Sequence, residues 1–266
     1  MNIRILSAAI AAATCLLTFQ ARADDDRFTL RIGALHADAQ TRLSGSGTVA
    51  GQTVSFDETI DFGGSELVPR LDGQFRLGER HRLIFDYFRY DKDRRETLGQ
   101  DLSYDDVTLP AGSYAEARTK IDLASLLYDF ALVQTQTHSL GVQLGVEYAR
   151  LDARLHAEAG DDFYEAAARE NAYAPVVGLR WTVTPGERWR FVAQAQYLDA
   201  DWGDFGRYDG DISRANAILE YRFTDHLGVF GGYDWHRINI ERRGSDGVAA
   251  VEQRFKGPVA GLTLAF

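Results

Sequence analysis

The chain has 266 residues with 29 basic and 39 acidic side chains, a formal net charge of -10. A basic nucleic-acid footprint is therefore absent, and the single cysteine, Cys15, leaves no disulfide framework. Twelve tyrosines, 15 phenylalanines and 25 glycines mark a strand-rich composition, and beyond the N-terminus no apolar run is long enough to cross a bilayer as a helix.

Residues 1–23 read as an export signal. Arg4 supplies the positive start, Ile5 to Phe19 a short apolar core, and Ala21-Arg22-Ala23 an A-x-A cleavage site. Cys15 is not placed as a lipidated N-terminus, since Thr14 precedes it and Leu16-Leu17 follow. The expected division is a cleaved signal over 1–23 and one domain over 24–266. Losing Arg4 and Arg22 leaves 27 basic against 39 acidic residues, or -12. An exported chain of this kind is a periplasmic β-protein or an outer-membrane barrel.

Period-two segments follow in regular series, with little helix-period signal between them. Phe28, Leu30, Ile32 and Ala34 open the first strand. Pro69, Leu71, Gly73, Phe75 and Leu77 oppose Arg70, Asp72, Gln74 and Arg76 in the second; Leu83, Phe85 and Tyr87 mark the third, with Ile84 and Phe88 behind. The fourth carries Leu126, Tyr128, Phe130 and Leu132, and the fifth Leu140, Val142, Leu144, Val146 and Tyr148. The sixth has Tyr173, Pro175, Val177, Leu179 and Trp181, and the seventh Trp189, Phe191, Ala193, Ala195 and Tyr197. Ala215, Ala217, Leu219, Tyr221 and Phe223 make the eighth, Leu227, Val229, Gly231, Tyr233 and Trp235 the ninth. The tenth runs from about Val251 to Phe266.

Connections alternate in length. Tight turns fall at 78–80, 135–138, 185–188 and 224–226. Longer polar links are expected at 41–66, 96–119, 158–170, 202–210 and 242–250. The chain ends Gly261-Leu262-Thr263-Leu264-Ala265-Phe266, with Leu262, Leu264 and Phe266 on one face. This ending resembles the assembly signal of bacterial outer-membrane β-barrels, which implies folding by periplasmic chaperones and the barrel-assembly machinery. Short periplasmic turns and long outer loops fit that architecture. The fold expected is an all-β, transmembrane, antiparallel up-and-down barrel of about ten strands, with eight or twelve as the neighbouring solutions. Trp181, Trp189, Tyr197, Tyr233 and Trp235 are placed in the aromatic girdles. The segment 69–91 resembles a hairpin of proteobacterial outer-membrane proteins and brings no activity with it.

The expected lumen face carries Arg31, Arg70, Arg76, Arg180 and Arg222 against Asp72, Asp86, Asp129, Glu147, Glu220 and Asp234. Buried charges need partners, and a ten-strand barrel is little wider than one that side chains fill. Paired charges plugging the lumen are therefore expected ahead of a small-solute pore. One further constellation carries chemistry: Asp234-Trp235-His236 with Asp91-Lys92-Asp93 resembles the Asp pair and Asp-His pair of the omptin proteases. The resemblance implies His236 as general base, oriented by Asp234, with Asp91 and Asp93 positioning water. The Asp-x-His pair here stands on the ninth strand, whereas that family's lies by the fourth outer loop. No outer-half histidine has a serine two residues on, as lipid A deacylases require. Acidic clusters (Asp101, Asp105, Asp106, Glu116; Glu158, Asp161, Asp162, Glu165) match no defined metal loop, and Gly45-Ser46-Gly47 reads as a flexible tip.

The expectation is thus a Gram-negative outer-membrane barrel with a structural, surface or narrow-pore role. The alternatives are a solute porin, an omptin-like hydrolase and a soluble periplasmic sandwich or lipid-binding barrel. No cofactor or metal is implied. The expected partners are outer-membrane lipid and lipopolysaccharide, with no nucleic acid, and the expected state is a monomer.

Overall fold

The computed structural model describes residues 26–49, 52–61, 65–97, 102–104, 107–109, 112, 114–159, 162–199, 208–243 and 247–266. The export signal expected over 1–23 lies outside them. The strands in chain order are β1 (Phe28–Val49), β2 (Gln52–Asp61), β3 (Glu66–Arg76), β4 (His81–Thr97), β5 (Leu102–Tyr104), β6 (Val107–Leu109), β7 (Tyr114–Gln134), β8 (His138–Ala159), β9 (Asp162–Val183), β10 (Trp189–Asp199), β11 (Tyr208–Arg222), β12 (Leu227–Arg243) and β13 (Gly247–Ala265).

Ten of the described strands, all except β2, β5 and β6, form a closed antiparallel up-and-down barrel. Closure joins the chain ends: Arg31 lies opposite Thr263 and Leu30 opposite Leu264. Phe266 completes it, accepting from the Arg27 and Phe28 amides at 2.8 and 2.9 Å and donating to the Phe28 carbonyl at 2.9 Å. A sheet closed on itself has no bottom edge with unpaired amides.

Alternation sorts the side chains. On β8, Leu140, Leu144 and Val146 are exposed on the outside while Gln143 and Glu147 are buried within. Leu262 and Phe266 are 55 and 63% exposed, against Thr263 and Ala265 at 0 and 1%. The outward apolar run from Leu140 to Tyr148 spans about 21 Å along the barrel axis at ordinary strand rise and tilt, close to the height of a membrane-embedded band. Above it the outward positions turn charged at once: Arg150 and Asp152 on β8, Arg89 and Asp91 on β4, Arg237 on β12, Lys256 on β13.

Three of the five long links are strands. Within 41–66 the upper half of β1, to Val49, pairs with β2 from Gln52 to Asp61; β8 and β9 pair to Ala159–Asp162, and β12 and β13 to Arg243–Val248. The Gly45-Ser46-Gly47 tip is strand, with Gly45 opposite both Ala249 and Phe56. A ribbon with water on both faces keeps backbone pairing but has no apolar alternation to reveal it. Residues 96–119 hold the small β5–β6 hairpin, and only Tyr208–Gly210 of 202–210 lie among the described residues.

Strand prolines mark where ladders stop, because proline has no N–H to donate. The β3–β4 ladder ends at Arg70–Phe88, beside Pro69. The β9–β10 ladder ends at Val177–Tyr197, two residues short of Pro175. The β1–β13 register lapses at His36 and Ala37, opposite Gly257 and Pro258. Above the first two stops β10 stays paired with β11 to Asp199–Asp211 and β3 with β1 to Glu66–Ala37, so the described wall divides into β4-β7-β8-β9 on one side and β10-β11-β12-β13-β1 on the other, with β3 and then β2 along the β1 edge. An apolar core fills the space between their bases: Leu35, Ile212, Ile238 and Phe255 from one sheet against Phe88, Tyr90, Ile121 and Leu123 from the other. Phe255 meets Phe88 at 5.4 Å and Tyr90 at 4.7 Å between ring centroids. Each such buried ring contributes roughly 1.5–3 kcal/mol.

Candidate functional site

Below the apolar core the lumen holds six buried arginines (Arg31, Arg70, Arg82, Arg180, Arg190, Arg214) and six buried carboxylates (Asp72, Asp86, Asp129, Glu147, Glu220, Asp234). Alternation delivers them: each occupies the inward set of its strand, and each would cost several kcal/mol if buried alone.

The centre of the network is a guanidinium pair. Arg70 donates through Nε to Asp234 Oδ2 at 2.7 Å and through Nη1 to Asp86. Arg214 donates to the other Asp86 oxygen at 3.1 Å and to the Ser125 hydroxyl at 3.2 Å, and pairs with Glu147 at 2.6 Å. Arg214 on β11 and Asp86 on β4 are separated by four wall strands in either direction, so this contact crosses the full diameter. Nearer the short turns, Arg31 pairs with Asp72 at 3.0 Å and Arg180 reaches Gln74 on β3 at 2.6 Å. Arg180 and Arg82 share Asp129 at 3.8 and 3.4 Å. Arg222 bonds Glu220 at 3.0 Å and pairs with Asp26, which Arg190 approaches at 4.0 Å.

All the lumen charges expected from sequence lie on the inward face, with Arg76 and Arg222 half-buried at the short-turn end. Three further buried arginines, Arg82, Arg190 and Arg214, lie outside the expected set, yet each shares parity with an inward polar residue of its own strand (Arg82 with Asp86, Arg190 with Gln196, Arg214 with Glu220), the signal by which strict alternation finds them.

The protease constellation is not assembled. Asp91 and Asp93 share the outward set of β4 with Leu83, Phe85 and Tyr87, and Arg118 holds them at 3.3 and 3.2 Å. Asp234 and His236 point inward and are 0 and 2% exposed. Asp234 is engaged by Arg70, and His236 stacks on Phe88 at 4.9 Å with its buried Nδ1 unpartnered. The barrel wall stands between the two pairs, because β4 and β12 present these residues on opposite faces.

Trp181, Trp189, Tyr197 and Tyr233 are exposed on the outward face and Trp235 is half-buried there. Trp189 meets Tyr221 at 4.7 Å and Trp181 meets Phe191 edge-on at 5.8 Å. Above the band, Arg169 clasps Asp152 through Nε and Nη2 at 3.0 and 2.8 Å, and its hydrogen bonds hold that carboxyl below the usual aspartate range. Among the described residues no group of three or more His, Cys, Asp or Glu is placed to hold a metal ion. Asp101, Asp105, Asp106 and Asp161 lie outside the described residues.

The fold defined by this wall and filled lumen is that of the bacterial outer-membrane β-barrels. No family model and no curated protein matches the chain. Among solved structures it is similar to the outer membrane protease OmpT of Escherichia coli, with a TM-score of 0.57 at 12% identity over 94% of this chain and 99% of that one. It is similar at a TM-score of 0.45 to the translocator domain of the autotransporter NalP of Neisseria meningitidis, at 12% identity over 97% of each chain. The outer membrane protein OprG of Pseudomonas aeruginosa follows at 0.38 and 11% identity, over 93% of this chain and 99% of that one. At 12% identity the likeness to OmpT carries the fold and no activity.

Proposed function

We propose that the protein is an integral outer-membrane barrel with a closed lumen and a surface or structural role. The apolar outward band, the aromatic residues at its edges and the terminal Leu262, Leu264 and Phe266 support the membrane location, with lipid and lipopolysaccharide as its surroundings. One observation carries the closed reading: Arg214 touches Asp86 across the full diameter, and Arg70 joins that same carboxylate to Asp234. A pore open at this level would need these side chains apart, leaving carboxylates unpaired in a narrow lumen. The apolar core above forms a second, dry barrier, so solute would have to breach two layers of different chemistry. The working surface is then the pair of sheets standing above the band.

Planar-bilayer recording of the refolded mature chain tests this. A heat-modifiable, folded protein should give no unitary current steps, whereas steady steps from the wild-type protein would establish a pore.

A further inference from the structure

Just above the apolar band, the outward face of β8 and β9 carries exposed guanidinium groups built on one carboxylate. Asp152 of β8 stands opposite Arg169 of β9 and Lys120 of β7, between Arg150 and Arg154 of its own strand. Arg169 reaches Asp152 Oδ2 through Nε and Nη2 at 3.0 and 2.8 Å, and Arg154 reaches Oδ1 through Nε at 3.3 Å. The carboxylate is recessed at 14% exposure, while the Arg154 and Arg169 side chains are 58 and 59% exposed. Arg154 Nη1 and Nη2 and Arg169 Nη1 stand outside these bonds, so the cluster presents its cationic side.

A second unit adjoins the first. Asp122 of β7, opposite Arg150, is recessed to the same degree. It accepts from the Tyr87 hydroxyl at 3.0 Å and lies 3.6 Å from the exposed Arg89 and 3.8 Å from Lys120. The other described carboxylates of β4 here, Asp91 and Asp93, are held by Arg118. From β4 to β9 the array covers three strand spacings, roughly 14 Å. Directly beneath it Tyr148 and Tyr173 meet at 4.9 Å, and below them stand the exposed Leu144, Val146 and Leu179 of the band. The cationic excess is one-sided: on the far flank, the outward charges nearest the band set Arg237 and Lys256 against Asp38, Asp199 and Asp211.

Resting on the membrane reading above, we propose that this flank is a binding site for lipopolysaccharide. Arg154, Arg169 and Arg89 hold the phosphates of its lipid A, and the band below packs its acyl chains. A guanidinium matches phosphate oxygens with paired, charge-assisted hydrogen bonds. The ion pairs that orient these arginines are exposed and individually worth little, so the heads turn to phosphate at small cost. Position is the second argument. The outward apolar residues end at Tyr148 and Tyr173, and the charges begin at the next outward position, the level of the headgroups in a lipid leaflet. An array this wide suits a headgroup with two separated phosphates better than a phospholipid with one.

The test titrates bisphosphorylated lipid A into the refolded full barrel in neutral detergent, with native mass spectrometry counting the bound lipid. Saturable binding is expected, weakened roughly tenfold or more in the Arg154→Gln/Arg169→Gln pair. The far-flank pair Arg237→Gln/Lys256→Gln should leave it unchanged. Phosphatidylglycerol and dephosphorylated lipid A should bind roughly tenfold more weakly or worse. Should the arginine pair fail to fold, Arg89→Gln decides, with a several-fold loss expected. Absence of saturable lipid A binding in the wild-type barrel overturns the proposal, as does equal affinity in the deciding variant. An equal loss in the far-flank pair, or phosphatidylglycerol bound as tightly as lipid A, reduces the effect to general charge attraction and overturns it too. Flotation with phospholipid vesicles separates the two readings. A barrel that floats yet takes up no lipid A overturns this proposal alone, whereas one that does not float overturns the membrane location with it.

Discussion

Replacing Arg214 with methionine tests the closed lumen most directly. Arg214 holds Glu147 at 2.6 Å, Asp86 at 3.1 Å and Ser125 at 3.2 Å. Asp86 retains Arg70, so the cost falls chiefly on Glu147, which is 1% exposed and has no other cation among the described ion pairs. Removing one partner of a buried pair costs about 3–5 kcal/mol, because a charge is left without compensation in a poorly solvated place. Methionine conserves most of the volume, which keeps the cavity contribution small. The second substitution, Glu147→Gln, removes the orphaned charge. The double variant should therefore recover at least about 1.5 kcal/mol of the loss, well outside the few tenths expected of independent sites. Urea equilibrium unfolding of the barrel in detergent, followed by tryptophan fluorescence and gel mobility, reads both values. A loss below about 1 kcal/mol for Arg214→Met, the scale of an exposed pair, would refute the reasoning. Strict additivity of the two substitutions would refute it equally.

Arg180→Ala should destabilise the barrel by about 3 kcal/mol or more, since it removes the hydrogen bond to Gln74 Oε1 and leaves Asp129 to Arg82 among the described ion pairs; the same unfolding assay reads it. His236→Phe should be tolerated within roughly 1.5 kcal/mol, because His236 acts as a buried stacking ring on Phe88, while His236→Asp should prevent folding as judged by heat modifiability. Gly73→Ala should cost about 1–3 kcal/mol, since an added Cβ would stand 2.5 Å from the Phe85 ring and 2.4 Å from the Thr29 carbonyl; Phe85→Ala in the same background should relieve part of it. An NMR titration should place Asp152 below the ordinary aspartate range. Arg169→Gln should move that midpoint upward, since the depressed carboxyl contributes stability that is present above its unfolded value and lost as pH falls through the folded one.

The sequence alone determined the wall. Ten alternating segments, four tight turns and a C-terminal strand with Leu262, Leu264 and Phe266 on one face specify a closed barrel, because period-two patterning survives only where one side of a strand meets an apolar medium and the other does not. The same parity placed Arg70, Asp86, Glu147 and Asp234 inside. It failed above the band, where β1–β2, β8–β9 and β12–β13 continue as paired strands with no apolar face to betray them. Pro69 and Pro175 were legible as strand residues, yet that they end two ladders and part the upper wall into two sheets depends on which neighbours they meet. Only the tertiary structure decided which charges touch. Arg214 and Asp86 are 128 residues apart and meet because closure sets β11 against β4. Parity already turns Asp91 and Asp93, in step with Leu83, Phe85 and Tyr87, away from Asp234 and His236, which belong to the inward set of β12. What parity could not give is that Arg118 holds the one pair while Arg70 and Phe88 engage the other, because those partners come from other strands and a one-dimensional pattern carries no distance between strands.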